Sequence, residues 1–88
     1  MNPKISEFFW IKIKMYYWNH NPPHFHIKYN EYEAFVSIKD IKVLEWQLPP
    51  KIEKLVLSWA ELYEEELLEN WELCLKEKPL NPILPYIK

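Results

Sequence analysis

The chain has 88 residues, a formal net charge of −2 and a 49% hydrophobic fraction, enough for one domain with a small core and too much for disorder. It has no Gly, which excludes a P-loop or a dinucleotide fingerprint. Its single cysteine, Cys74, excludes an internal disulfide and a cysteine-based zinc site, so a reducing cytoplasm is the expected compartment. No apolar run approaches the ~18–20 residues that cross a bilayer, and Met1-Asn2-Pro3-Lys4 does not read as a signal peptide, so no membrane partner is expected.

Charge divides the chain. Residues 1–44 hold six Lys against four acids, and residues 45–88 hold five Lys against nine acids. All eleven basic residues are Lys, so bidentate guanidinium recognition of phosphate or guanine is unavailable.

Hydrophobicity changes period once. Phe9 to Tyr16 alternates as a strand, with Phe9, Ile11, Ile13 and Met15 on one face and Trp10, Lys12, Lys14 and Tyr16 on the other. The segment Trp18-Asn19-His20-Asn21-Pro22-Pro23 cannot be regular, because two prolines fix φ. The next strand is His24–Tyr29 and the third is Tyr32–Ile38. A two-residue turn at Asn30-Glu31 sets their register. Tyr29 then faces Tyr32, Ile27 faces Ala34 and Phe25 faces Val36. On the other side Lys28 meets Glu33, His26 meets Phe35 and His24 meets Ser37. A slip of one residue destroys both the apolar match and the Lys–Glu pair. Glu31 is poorly suited to the positive φ of a type I′ turn.

A short fourth strand is expected over Lys42 to Trp46. Pro49-Pro50 opens a helix whose apolar stripe is Ile52, Leu55, Val56, Trp59, Tyr63, Leu67, Trp71 and Cys74. A helix of ~27 residues would run ~40 Å, so it should bend, break near Glu64–Glu66 or project. Pro79, Pro82 and Pro85 end it, and Leu80, Ile83, Leu84, Tyr86 and Ile87 should dock the tail. The expected class is α+β: a three- to four-stranded, mainly antiparallel sheet packed on a long C-terminal helix. One domain spans 1–88, with sheet at 1–48, helix at 49–78 and a Pro-rich tail at 79–88. Cys74 lies on the apolar stripe and reads as a buried filler.

The chemistry concentrates on one sheet face. His24 and His26 leave the same side of a strand, joined by Lys28, Glu33 and Ser37 and, from the first strand, by Lys12, Lys14 and Tyr16. His20 lies just before them. Three readings stand. The face is the wet side of an antiparallel sheet. Alternatively it handles RNA phosphate without metal or cofactor: one of His24 or His26 serves as general base and the other as acid, while Lys12, Lys14 or Lys28 stabilises the charged phosphorane. Tyr16, Trp10 and Trp18 would stack single-stranded bases. That chemistry requires two imidazoles open to water, ~5–8 Å apart, a span set by hydrogen-bond reach on both sides. In the third reading, His24, His26 and His20 bind metal, with His24-x-His26 and Glu31 in the H-x-H-x4-E spacing of cupin barrels but without their glycines.

The run Phe8-Phe9-Trp10-Ile11-Lys12-Ile13-Lys14-Met15-Tyr16-Tyr17, then Asn19-His20-Asn21-Pro22-Pro23-His24-Phe25-His26-Ile27 and Tyr32-Glu33-Ala34, resembles the bacterial domain of unknown function 4160 family. Leu57-Ser58-Trp59-Ala60-Glu61-Leu62, Leu67-Leu68-Glu69-Asn70-Trp71 and Pro79-Leu80-Asn81-Pro82-Ile83 resemble it too. Asn19 stands where members often carry Asp, and Asn30-Glu31 where they often carry Gly. The resemblance implies a short bacterial or mobile-element protein. Such proteins are often encoded beside a second small protein that resembles the domain of unknown function 2442 family, in toxin–antitoxin-like pairs. It therefore implies a small cognate protein partner and favours RNA handling over metal. The alternative to a ribonuclease is a non-catalytic interaction module, in which the aromatics and the acidic helix form a homodimer or hetero-complex interface.

Overall fold

The computed structural model describes residues 4–17 and 21–85. Five strands form one antiparallel sheet in sequence order: β1 (Lys4–Phe8), β2 (Ile11–Lys14), β3 (His24–Tyr29), β4 (Tyr32–Ser37) and β5 (Lys42–Glu45). Two helices follow, α1 (Pro50–Leu62) and α2 (Glu64–Leu75). The α+β class holds, with five strands in place of three or four and two helices in place of one long one.

The β3–β4 hairpin has the expected register at all six pairs, from His24↔Ser37 to Tyr29↔Tyr32. Its turn avoids the difficulty at Glu31, because the positive φ falls on Asn30 (52°), a residue that tolerates the left-handed region.

The first expected strand is shorter than its alternation suggests. Phe9 (φ 52°) and Trp10 (φ 67°) form a two-residue turn, and Lys4–Phe8 comes back as β1. The chain turns there with no Gly or Asn to mark it. Phe9 consequently leaves the core face and is 53% exposed, while Ile11, Ile13 and Met15 remain fully buried.

Even-numbered and odd-numbered residues separate as the pleat requires. Ile11, Ile13, Phe25, Ile27, Ala34 and Val36 lie against Val56, Trp59, Ala60, Leu67, Trp71 and Cys74 of the helices. The helix breaks at Tyr63 (φ −115°, ψ 31°), so both halves bury their stripes within a body 34 Å long. An unbroken ~40 Å rod would overshoot it. The tail docks as expected at Ile83, whose amide donates to the Ile5 carbonyl at 2.8 Å and caps part of the β1 edge. Trp59 Nε1 donates to the Leu84 carbonyl at 2.9 Å. Leu84's side chain stays exposed, and Tyr86 and Ile87 lie outside the described residues.

Candidate functional site

With the helices on one side, the other side of the sheet carries Lys12, Lys14, His26, Lys28, Glu33 and Phe35. Cross-strand pairing fixes their layout: Lys12 lies opposite Lys28 and Lys14 opposite His26 across β2–β3, and His26 faces Phe35 across β3–β4.

Aromatic rings close around His26. Tyr16 meets it edge-on, with centroids 4.4 Å apart, and Phe35 lies at 4.1 Å. Trp46 stacks nearly parallel to the imidazole, 18° off and 6.5 Å away, and contacts Phe35 at 5.1 Å. Trp46 reaches this position from a left-handed backbone (φ 67°) just after β5. Neither ring nitrogen of His26 is exposed or hydrogen-bonded among the described residues. Burial pushes its pKa down to about 4; Glu33 opposes that shift, and His24 and Lys14 add to it. The ring is therefore neutral at pH 7.

His24 is held differently. Its Nδ1 lies 2.8 Å from the Pro22 carbonyl, a contact that places the proton on Nδ1. Its ring sits 5.2 Å from Phe35 and 5.4 Å from Trp71 of α2. Ser37, opposite it, is turned inward, and its Oγ accepts from the Asp40 amide at 3.0 Å.

Beside His26 a recess of about 210 Å³ is lined by Lys12, Lys14, Tyr16, His26, Ile27, Lys28 and Glu33. Lys28 pairs with Glu33 at 3.4 Å, both side chains being nearly half exposed. A second, more open recess of about 490 Å³ takes Glu31, Tyr32, Glu33, Trp46 and Gln47.

Lys12, Lys14, Lys28, Tyr16 and His26 are thus brought together, with His24 at the margin. His20 and Trp18 lie outside the described residues, and Trp10 sits at the β1–β2 tip, 81% exposed. Phe35 and Trp46 were not among the expected site residues. Phe35 was already opposite His26 in the hairpin register. Trp46 carried no such signal, because a register shift between Phe35 and Val36 decides where β5 delivers it. Among the described residues no group of three or more His, Cys, Asp or Glu is placed to hold a metal. No helix among them is long and apolar enough to cross a membrane. Cys74 is buried, its Sγ 3.5 Å from the Tyr16 carbonyl, and burial pushes the thiol pKa up, so it is no nucleophile.

These features define a small α+β domain with a five-stranded meander, one face closed by helices and the other open and floored with aromatic rings. The chain belongs to the family described as Domain of unknown function (DUF4160), which matches residues 11–72. No curated protein matches the chain. No solved structure matches it either.

Proposed function

We propose that this protein is a non-catalytic RNA-binding component of a two-protein, toxin–antitoxin-like module, with the open sheet face as its working surface. The observation that carries the reading is the state of His26: stacked against Trp46, with both ring nitrogens shut off from water and the ring kept neutral beside three lysines. A general acid or base needs a ring nitrogen within reach of the substrate. His26 as held offers a flat aromatic surface instead. Rings that accept bases, flanked by cations that accept phosphates, are the two ingredients of single-strand binding, and Lys suffices where no base edge is read. The helix side, with Leu62 66% exposed at the end of α1 and Leu75 53% exposed on glutamate-rich α2, is left for the small protein partner.

The test is titration of the full chain with short single-stranded oligoribonucleotides, followed by tryptophan fluorescence, with RNA integrity scored at the end. Binding that weakens with salt and leaves the RNA intact is expected. Trp46→Ala should weaken it roughly 5- to 100-fold, the worth of a stacked base. Absence of binding overturns the reading. RNA cleavage that disappears in His26→Ala would instead establish the ribonuclease, with His24 and His26 as its acid–base pair.

A further inference from the structure

We propose that the Lys12–Lys14–Lys28 recess seats a terminal phosphate monoester of the bound strand, in preference to an internal phosphodiester. This rests on the RNA-binding reading above and names the chemical group that the site selects.

The pairing of like charges is the first support. Lys12 and Lys28 stand directly opposite each other across β2–β3. Like charges in that relation repel, and a solvent-facing pair is free to be anything else. Lys14 stands on the same face, two residues from Lys12. Glu7 stands opposite Lys12 across β1–β2 but is already paired with Lys4, and Glu33 is the one carboxylate among the described residues that lines the recess against these three ammonium groups, 3.4 Å from Lys28. The lining therefore keeps a surplus of two positive charges.

A phosphate monoester carries about −1.5 to −2 at neutral pH and presents three terminal oxygens. An internal diester carries one charge on two free oxygens. The monoester matches the surplus and gives each lysine an oxygen of its own, forming charge-assisted hydrogen bonds. The Tyr16 side chain lines the same recess. The space, about 210 Å³, holds a phosphate group and leaves the base outside. That base has a place prepared: His26 forms one wall of the recess and continues into the Phe35–Trp46 surface. A chain end, unlike an internal phosphate, enters such a recess without the strand having to leave it on the other side.

The experiment compares one octaribonucleotide in three forms: 5′-phosphorylated, 3′-phosphorylated, and hydroxyl at both ends. Each is titrated into the full chain, with inorganic phosphate as competitor. One of the two monoester forms should bind at least about tenfold tighter than the hydroxyl form, the worth of one added charge-assisted hydrogen bond. Inorganic phosphate should erase that advantage, weakening the favoured monoester form more than the hydroxyl form. Lys12→Gln and Lys28→Gln, each checked for an unchanged melting curve, should also erase it. Equal affinity for all three forms would overturn the terminal-phosphate seat and leave the RNA-binding reading standing. A preference that survives both lysine substitutions would overturn the location. No binding of any form would remove both.

Discussion

His26 couples the open face to stability. Unfolded, its ring titrates near 6.5; folded, burial holds it near 4. Between those values the unfolded chain binds a proton that the folded chain does not, so stability rises with pH across the window. The contribution is complete above about pH 6.5 and is lost progressively as the pH falls toward 4. The full shift would be worth about 3 kcal/mol, and partial exposure of the ring reduces this to roughly 1–3 kcal/mol. His26→Phe removes the titration and the two unpartnered nitrogens while keeping a ring among Tyr16, Phe35 and Trp46. Urea unfolding at pH 7.5 and pH 5, a step that crosses part of the window, should show the wild type losing about 1–2 kcal/mol more than the variant. Carboxylates titrate in both proteins and cancel in the comparison. Parallel losses would mean that His26 is solvated.

Among the elements, what could be read in advance depended on how many constraints met at one place. For β3–β4, apolar matching, a Lys–Glu pair and a turn length agreed, and the register followed to the residue. The helical stripe was readable for the same reason, since Val56, Trp59, Leu67, Trp71 and Cys74 repeat with one period and are all buried. The break at Tyr63 was placed only approximately, one residue before the expected stretch, because it answers to the size of the core and not to a local breaker. The β1–β2 hairpin was hidden, since Phe9-Trp10 continues the alternation and contains none of the usual turn residues. Those two residues hold a left-handed conformation that costs roughly 1–2 kcal/mol each. In return Phe9 gains an edge contact with Phe8 at 6.2 Å while staying 53% exposed, and Trp10 stays mostly in water. Replacing the pair by Asn-Gly, the preferred type I′ sequence, should raise stability by about 1–2 kcal/mol after the lost contact is allowed for. At this chain length that is a rise of several degrees in melting temperature. A fall would mean that the tip packs more strongly than its exposure indicates.

At the scale of the molecule, the two sheet faces differ because the apolar stripes of α1 and α2 cover one of them and leave the other bare. The tail completes that cover. Asn70 on α2 is fully buried and makes a reciprocal pair with Asn81: its Nδ2 donates to the Asn81 carbonyl at 2.9 Å, and its Oδ1 accepts from the Asn81 amide at 2.8 Å. A buried amide on an otherwise apolar stripe breaks the helical pattern, and its reason is visible only once the tail is folded back. The clasp aligns the following residues so that Ile83 reaches β1 and Leu84 receives the Trp59 indole. Asn70→Ala deletes both bonds. Asn81 is exposed, so water satisfies the groups left behind, and the loss should be about 1–3 kcal/mol in equilibrium unfolding. Because the clasp lies on the helix side, the RNA affinity proposed for the open face should be unchanged under conditions where the variant remains folded. Limited proteolysis should cut the tail near Pro82–Pro85 faster in the variant, while β3–β4 stays protected. If RNA binding fell together with tail protection, the two faces would be coupled through the sheet, and the division into a closed structural side and an open binding side would have to be abandoned.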